Sequence, residues 1–404
     1  MKETRATVYV SDTPAATLVK SGGTTAFSYL PSYLNNESSR PVATTLPLTS
    51  QTHYTPHGSL PAFFSGLLPE GRRLGVLQRS VKTSRDDELS LLLAVGSDTV
   101  GNVTIGDASG GVRHPDPIVD ITADHVDFAS ALVKSGIADP VALPGFQEKA
   151  SARTIAFPTR SSAHVPTDSI LKLSPADFPG LVDNESWCYR TIIPAAKKLH
   201  IPVSRSSVIS DDNGLAGLLV NRFDRQFTEK EASAVKFAVE DGTQVMDLPP
   251  SEKYSIPFEE LSLALASNCR SPLLALRSIA FQLAFAWLTG NGDLHAKNLS
   301  IVDYGDGFTM SPIYDIPSTV PYGDSTLALE VQGRKVGLSR KRFLQFCHDV
   351  GLPEPVGDKV ANVAVTATAD FADGLIAAMP TTALSSRAAR DITRVLAARR
   401  RHWV

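Results

Sequence analysis

With 404 residues, 43% of them hydrophobic and 20% charged, the chain can bury more than one sizeable core and is neither disordered nor fibrous. A formal net charge of −3 gives no global reason to bind nucleic acid. Cys188, Cys269 and Cys347 are too few and too dispersed for a disulfide framework or a CxxC zinc site, and read as structural thiols in a reducing cytoplasm.

The N-terminal MKETRATVYVSD passes from charged residues straight into strand-like alternation, without the apolar core of a signal peptide. Apolar runs such as Leu91 to Val95 and Leu283 to Leu288 are far shorter than the ~20 residues a membrane span needs, so no membrane partner is expected. ATVYV, TTAFSYL and NVTIGD predict strands, and Asp86 to Val95 predicts a helix with Leu89, Leu91, Leu92 and Leu93. These make an α+β module over 1–115, closed by the Gly- and Pro-rich GGVRHPDPI. A second, strand-rich lobe over 116–225 follows. ARTIAFPT and TDSILKLS predict paired strands, Asn184 to Leu199 a helix in which Pro194 introduces a possible kink, and VSRSSVIS and GLLVNRFD two strands around the turn DDNG. From Leu261 the pattern is helical, with a long apolar helix over Ala275 to Leu288 inside a third region, 226–404.

After that helix the chain reads GNGDLHAKNLSIVDYGDGFTMSPIYDIPS, with Asn298 five residues after Asp293 and Asp315 seventeen after Asn298. NLSIV and FTMSPIY predict a hairpin on the turn Tyr304-Gly305-Asp306-Gly307, which returns Asp315 toward Asn298. Two oxygen donors there suit magnesium, a hard cation that takes few protein ligands beside substrate phosphates. Asp293, just before the first strand, is placed to accept or orient a hydroxyl proton. The alternative is an ordinary turn at GNGD and a helix cap at Asp315. Together these residues point to an ATP- and magnesium-dependent phosphotransferase.

Phosphoryl transfer also needs positive charge on the nucleotide. Lys172, inside the apolar strand SILKL, is the candidate, with Glu185 as its ionic partner; a surface lysine beside a helix glutamate is the alternative. Leu143 to Lys149, LPGFQEK, either folds over the phosphates or forms an interdomain turn, its single Gly145 being a weak signal. Phe223, in NRFDR at the junction of two lobes, meets an adenine edge or is simply buried, and His295 contacts phosphate or holds its loop.

At these residues the chain resembles the HipA family of serine/threonine kinases, the toxin halves of bacterial toxin-antitoxin pairs. FFSGLLPEG over 63–71 resembles the family's FxNLLPEG signature, and VGSDTVG over 95–101 its GxDxxGA segment. Gly145, Gln147 and Lys149 fall as in its GxQxK nucleotide loop, and Arg222 to Arg225 as in its RFDR hinge. Glu240-Asp241 with Gln244, and Lys253-Tyr254, match its EDxxQ and KY elements; GNGDLHAKN and YDIPS match its catalytic and metal motifs. The resemblance implies a two-lobed protein-kinase-like fold, similar to phosphoinositide kinases, behind an N-terminal strand-rich subdomain. It implies Asp293 as catalytic acid, Lys172 on the phosphates, Asn298 and Asp315 on magnesium, and Phe223 and Asp224 at the nucleotide. It also implies a small helix-turn-helix antitoxin of HipB type that carries most DNA recognition, and a protein target such as an aminoacyl-tRNA synthetase. Competing readings are an aminoglycoside-type phosphotransferase, which has no counterpart of the FFSGLLPEG module, and a catalytically silent module that holds an antitoxin on its operator.

Two departures stand out. Ala142 occupies the place where relatives often carry an autophosphorylated serine, which puts that form of self-inactivation in doubt, and Asn221 replaces a common acidic residue before RFDR. The C-terminal RAARDITRVLAARRR reads as a solvated basic helix, or else as a patch for an antitoxin, DNA phosphates or an acidic target.

Overall fold

The computed structural model describes residues 3–107, 119–123, 125–130, 155–160, 168–226 and 234–404. The loop expected to carry Gly145, Gln147 and Lys149, the Ala142 position and the boundary expected near 115 all lie outside the described residues.

The first sheet is built by five antiparallel strands: β1 (Thr4–Val10), β2 (Thr13–Ser21), β3 (Thr24–Tyr29), β4 (His53–Thr55) and β5 (Val103–Asp107), ordered β4-β3-β2-β1-β5. Its alternation puts Ala6, Val8, Leu18 and Phe27 inward, where they pack on Phe63 and Phe64 of the short helix Ala62–Gly66 and on Leu89 and Leu92 of the helix Glu88–Val95. This module thus owns a separate core.

The second sheet contains β6 (Val119–Asp120), β7 (Ile155–Arg160), β8 (Ser169–Leu173), β9 (Ser206–Ser210) and β10 (Ala216–Asn221), in the order β6-β7-β8-β10-β9. The paired strands expected from ARTIAFPT and TDSILKLS form, with Ile155 opposite Leu173. In β8, Ser169, Leu171 and Leu173 are buried on one face, while Ile170 and Lys172 turn to the other. The following helix runs over Leu181–Lys198, three residues longer at its start than the apolar spacing predicts. Gly180, at φ 72°, turns the chain into it, and Ser174 Oγ accepts from Val182 N at 3.0 Å.

The largest core surrounds the helix Pro272–Thr289. By length and composition this helix could cross a membrane, which the short apolar runs around Arg277 and Gln282 did not suggest. It is 78% buried inside the protein, so its apolar surface is already covered. Beside it lies a three-stranded sheet of β13 (Ala238–Asp241), β14 (Ser300–Asp303) and β15 (Phe308–Met310), once the short pair β11 (Arg225–Gln226) and β12 (Val235–Lys236) has been passed. All three cysteines are buried and free. Burial raises each thiol, to about 12 for Cys269 and Cys347, which keeps them as inert packing groups.

Candidate active site

Each part of the GNGD loop is fixed by a local bond. Gly290 ends the long helix at φ 76°, where a Cβ would stand 2.4 Å from Val320 Cγ2, so both conformation and space call for glycine. Thr319 Oγ1 accepts from Gly292 N at 2.9 Å, and Asn291 Oδ1 accepts from Asp293 N at 2.8 Å. Asp293 itself is fully buried. Its Oδ1 accepts from the Tyr254 hydroxyl at 2.8 Å, and its backbone carbonyl accepts from Asn298 Nδ2 at 2.9 Å. Donation through Nδ2 leaves the Asn298 carbonyl oxygen as the atom suited to a cation. His295 stacks edge-on against Tyr254 at 4.9 Å and brings Nε2 to 3.8 Å from Asp293 Oδ2, contacts that hold the loop.

The expected hairpin forms, with Ile301 opposite Met310 and Asp303 Oδ1 accepting from Gly305 N and Gly307 N in the turn. Its second strand is shorter than expected, ending at Met310, because Pro312 lacks an N–H for the ladder. The chain then crosses to the second lobe: Ile313 N donates to Pro202 O and Ser204 N donates to Ile313 O, both at 2.9 Å. Tyr314 reaches back, donating to Lys297 O at 2.8 Å and pairing with Ser300 Oγ at 2.6 Å, on both sides of Asn298. Asp315, directly after these two ties, lies in the left-handed region at φ 54°, an uncommon conformation for a non-glycine residue.

Asp315 Oδ1 meets Lys172 Nζ at 2.6 Å, and Glu185 Oε1 and Oε2 meet the same ammonium at 2.8 and 3.0 Å. The pairing of Lys172 with Glu185 expected from sequence is thus present, with Asp315 as a third member. Burial works against the Lys172 charge, but Asp315 and Glu185 outweigh it and leave the pKa raised. Burial pushes the Glu185 carboxyl up, with Lys172 pulling it back down, so the group gathers carboxyl oxygens, the hard donors a divalent cation takes, around one ammonium.

Lys172, Asp315 and Phe223 line a cleft of about 410 Å³. Ile170 and Val220 supply apolar wall, Tyr314 packs on Phe223 with ring centroids 5.4 Å apart, and Gly66 to Pro69 of the N-terminal module form another side. Asp224 also borders the cleft, but its carboxylate is engaged elsewhere. It accepts from Arg222 Nε and Nη2 at 3.0 and 2.8 Å and from Gly101 N at 2.9 Å. Burial opposes its charge, yet Arg222 and Arg225 hold its pKa down at about 2. Arg222 and Arg225 also pair with Asp98, so RFDR fastens the N-terminal module to the second lobe. The Arg222, Asp224 and Arg225 side chains are all buried in this contact.

Several residues here received no chemical role from sequence. Lys297 donates to Asp241 Oδ2 at 2.6 Å and to Gly66 O at 3.1 Å. Asp241 also caps the helical turn Gly242–Val245 in a reciprocal box with Gln244, a pattern legible as Asp-x-x-Gln. Gln244 in turn donates to Phe63 O at 2.8 Å. A Cβ on Gly66 would stand 2.7 Å from Gln244 Cγ, which accounts for glycine in FFSGLLPEG.

Comparison with known proteins places this arrangement in a family. Residues 6–106 match the HipA N-terminal domain and 141–371 the HipA-like C-terminal domain. The chain belongs to the HipA family. Two Sinorhizobium fredii proteins named as candidate kinases are each 29% identical, over 343 and 351 residues; the first match covers 78% of both chains, the second 80% of this chain and 79% of the relative. The serine/threonine-protein kinase toxin HipA of Shewanella oneidensis is 27% identical over 355 residues, covering 78% of this chain and 76% of that protein. HipA in a solved complex with HipB and operator DNA, from Shewanella oneidensis MR-1, aligns over 98% of this chain and 96% of its own, with TM-score 0.75 and 21% identity. The α+β, HipA-type fold expected from the sequence is therefore the fold of this family member.

Proposed function

We propose that this HipA-family chain is an ATP- and magnesium-dependent serine/threonine-protein kinase acting as the toxin of a toxin-antitoxin pair in the cytoplasm. The observation that carries the reading is the meeting of Lys172, Glu185 and Asp315 at a cleft that Lys297, from the 293–298 loop, also lines. Lys172 would bind the nucleotide phosphates, with Glu185 holding its ammonium in place. The Asn298 carbonyl oxygen and the Asp315 carboxylate are hard donors that fit magnesium, and a bound magnesium would neutralise charge on the transferred group. Asp293 would orient the acceptor hydroxyl and take its proton. Phe223 and the backbone around Asp224 would border the adenine, and Gly145, Gln147 and Lys149 would cover the phosphates.

The partner would be a HipB-like helix-turn-helix antitoxin, with DNA met chiefly through it, and the substrate a translation component such as an aminoacyl-tRNA synthetase. The solved HipA, HipB and operator DNA complex supports the antitoxin and DNA part of this reading.

The test is incubation of purified protein with γ-labelled ATP, magnesium and a bacterial lysate, beside an Asp293→Ala variant and a chelator control. A labelled protein band that needs both Asp293 and magnesium is expected. Label on an added aminoglycoside and on no protein would replace this reading by small-molecule phosphotransfer; no Asp293-dependent transfer at all would leave a non-catalytic antitoxin partner.

A further inference from the structure

Glu70, the residue that opens the helix Gly71–Val81 of the N-terminal module, reaches into the catalytic lobe. One carboxylate oxygen accepts from Lys253 Nζ, and the other lies 3.8 Å from Lys297 Nζ. The lysine side chains are only 12% and 14% exposed, whereas that of Glu70 is 34% exposed. Both lysines bear on the same six residues, 293–298. Lys253 O accepts from Ala296 N at 3.2 Å, and Tyr254, its neighbour, donates to Asp293 Oδ1 at 2.8 Å. Lys297 lies within the segment and also donates to Gly66 O of the module. The loop is therefore held from two points by one carboxylate that belongs to a different unit of the fold.

Removing the Glu70 charge would leave two shielded ammonium groups with Asp241 as the remaining carboxylate, 2.6 Å from Lys297. Lys253 would keep the Tyr254 ring, 5.2 Å from its Nζ. A partly exposed ion pair adds little to global stability, so the consequence belongs to the local order of the loop.

We propose that Glu70 is a positioning residue: through Lys253 and Lys297 the N-terminal module braces the 293–298 loop, so that docking of the module sets the alignment of Asp293. The consequence for catalysis rests on the kinase reading above; the brace itself does not. Misalignment of a reacting group by about 1 Å can cost about 100-fold in rate, so a module shifted by a partner would lower transfer through the loop.

The experiment is hydrogen–deuterium exchange on the full chain without nucleotide, comparing wild type, Glu70→Gln and Glu70→Asp, followed by steady-state phosphotransfer on the same preparations. Glu70→Gln is expected to speed exchange severalfold in peptides covering 253–255 and 291–299, while the core of the helix Pro272–Thr289 stays protected. Glu70→Asp, which keeps the charge on a shorter stem, should fall between. In transfer assays Glu70→Gln should lower kcat at least about 10-fold with KM for ATP within about twofold, the pattern of lost alignment rather than lost binding. Unchanged exchange in both segments of a folded Glu70→Gln protein overturns the brace, and faster exchange with unchanged kcat overturns the positioning role. If wild type transfers no phosphate, the kinase reading fails while the exchange result still decides whether Glu70 braces the loop.

Discussion

The Tyr254 hydroxyl donates to Asp293 Oδ1 at 2.8 Å, and Asp293 has no exposed surface. A buried carboxylate needs such a donor to remain where chemistry requires it, and a hydrogen bond to a charged group contributes roughly 1.5–3 kcal/mol. If Asp293 acts on the acceptor hydroxyl, Tyr254→Phe should reduce kcat by about 10- to 100-fold, because the ring is retained while the bond is lost. Steady-state transfer measured beside a thermal melt checks this. An unchanged kcat in a folded variant would show that Asp293 does not depend on Tyr254.

Lys172 offers a contrast between stability and binding. Its ammonium stands between Glu185 and Asp315, with the Glu185 side chain 2% exposed. Lys172→Met leaves two neighbouring carboxylates without their cation, a change of the kind that costs about 3–5 kcal/mol when a buried pair is broken. Glu185→Gln with Lys172→Met should recover part of that loss, since the like-charge repulsion is removed. Urea denaturation of the single and double variants gives the coupling directly, and equal midpoints would mean that the triad is not coupled in solution.

Asp224 is expected to act mainly as a structural clamp. Its carboxylate faces Arg222, Arg225 and the Gly101 amide, and loss of it would strand the buried Arg222. Asp224→Ala should destabilise the protein by about 3–5 kcal/mol, with the affinity of the remaining folded protein for ATP changed less than about threefold. Calorimetric titration at low temperature, where the variant stays folded, separates the two effects. A large affinity loss without a stability loss would return Asp224 to the nucleotide.

The local geometry of the 293–315 segment was legible in the sequence because its information is local. The five-residue spacing from Asp293 to Asn298, the Asp-Gly turn and the alternation in SILKL each specify a neighbourhood of a few residues. What it did not disclose are contacts between units distant in the chain. Gln244 meets Phe63 across 181 residues, and Lys297 meets Gly66 across 231. No periodicity encodes such pairs; only the glycine demanded by close approach at Gly66 and the capping box at Asp241 leave a trace. The return of Asp315 was anticipated through the hairpin, yet the step by which Ile313 crosses to Pro202 depends on tertiary pairing.

The same contact surface should make stability depend on pH. Glu240, on β13, is buried and accepts from Thr44 N and Thr44 Oγ1 of the N-terminal module, both at 2.8 Å. Burial raises its pKa from an ordinary 4.5 to about 7, with the Thr44 bonds pulling the other way and Asp241 adding a smaller push upward. The folded protein therefore binds this proton more tightly than the unfolded chain. Its contribution is fully present below pH 4.5, declines as pH rises through the window from 4.5 to 7, and is lost above 7. At about 1.4 kcal/mol per pKa unit the window spans up to ~3 kcal/mol. Glu240→Gln mimics the protonated carboxyl and can still accept from Thr44 N while donating to Thr44 Oγ1. The variant should match wild type near pH 5 and exceed it near pH 8, as read from urea midpoints at the two values. A parallel pH dependence in both proteins would mean that Glu240 titrates normally and that Thr44 does not close over it in solution.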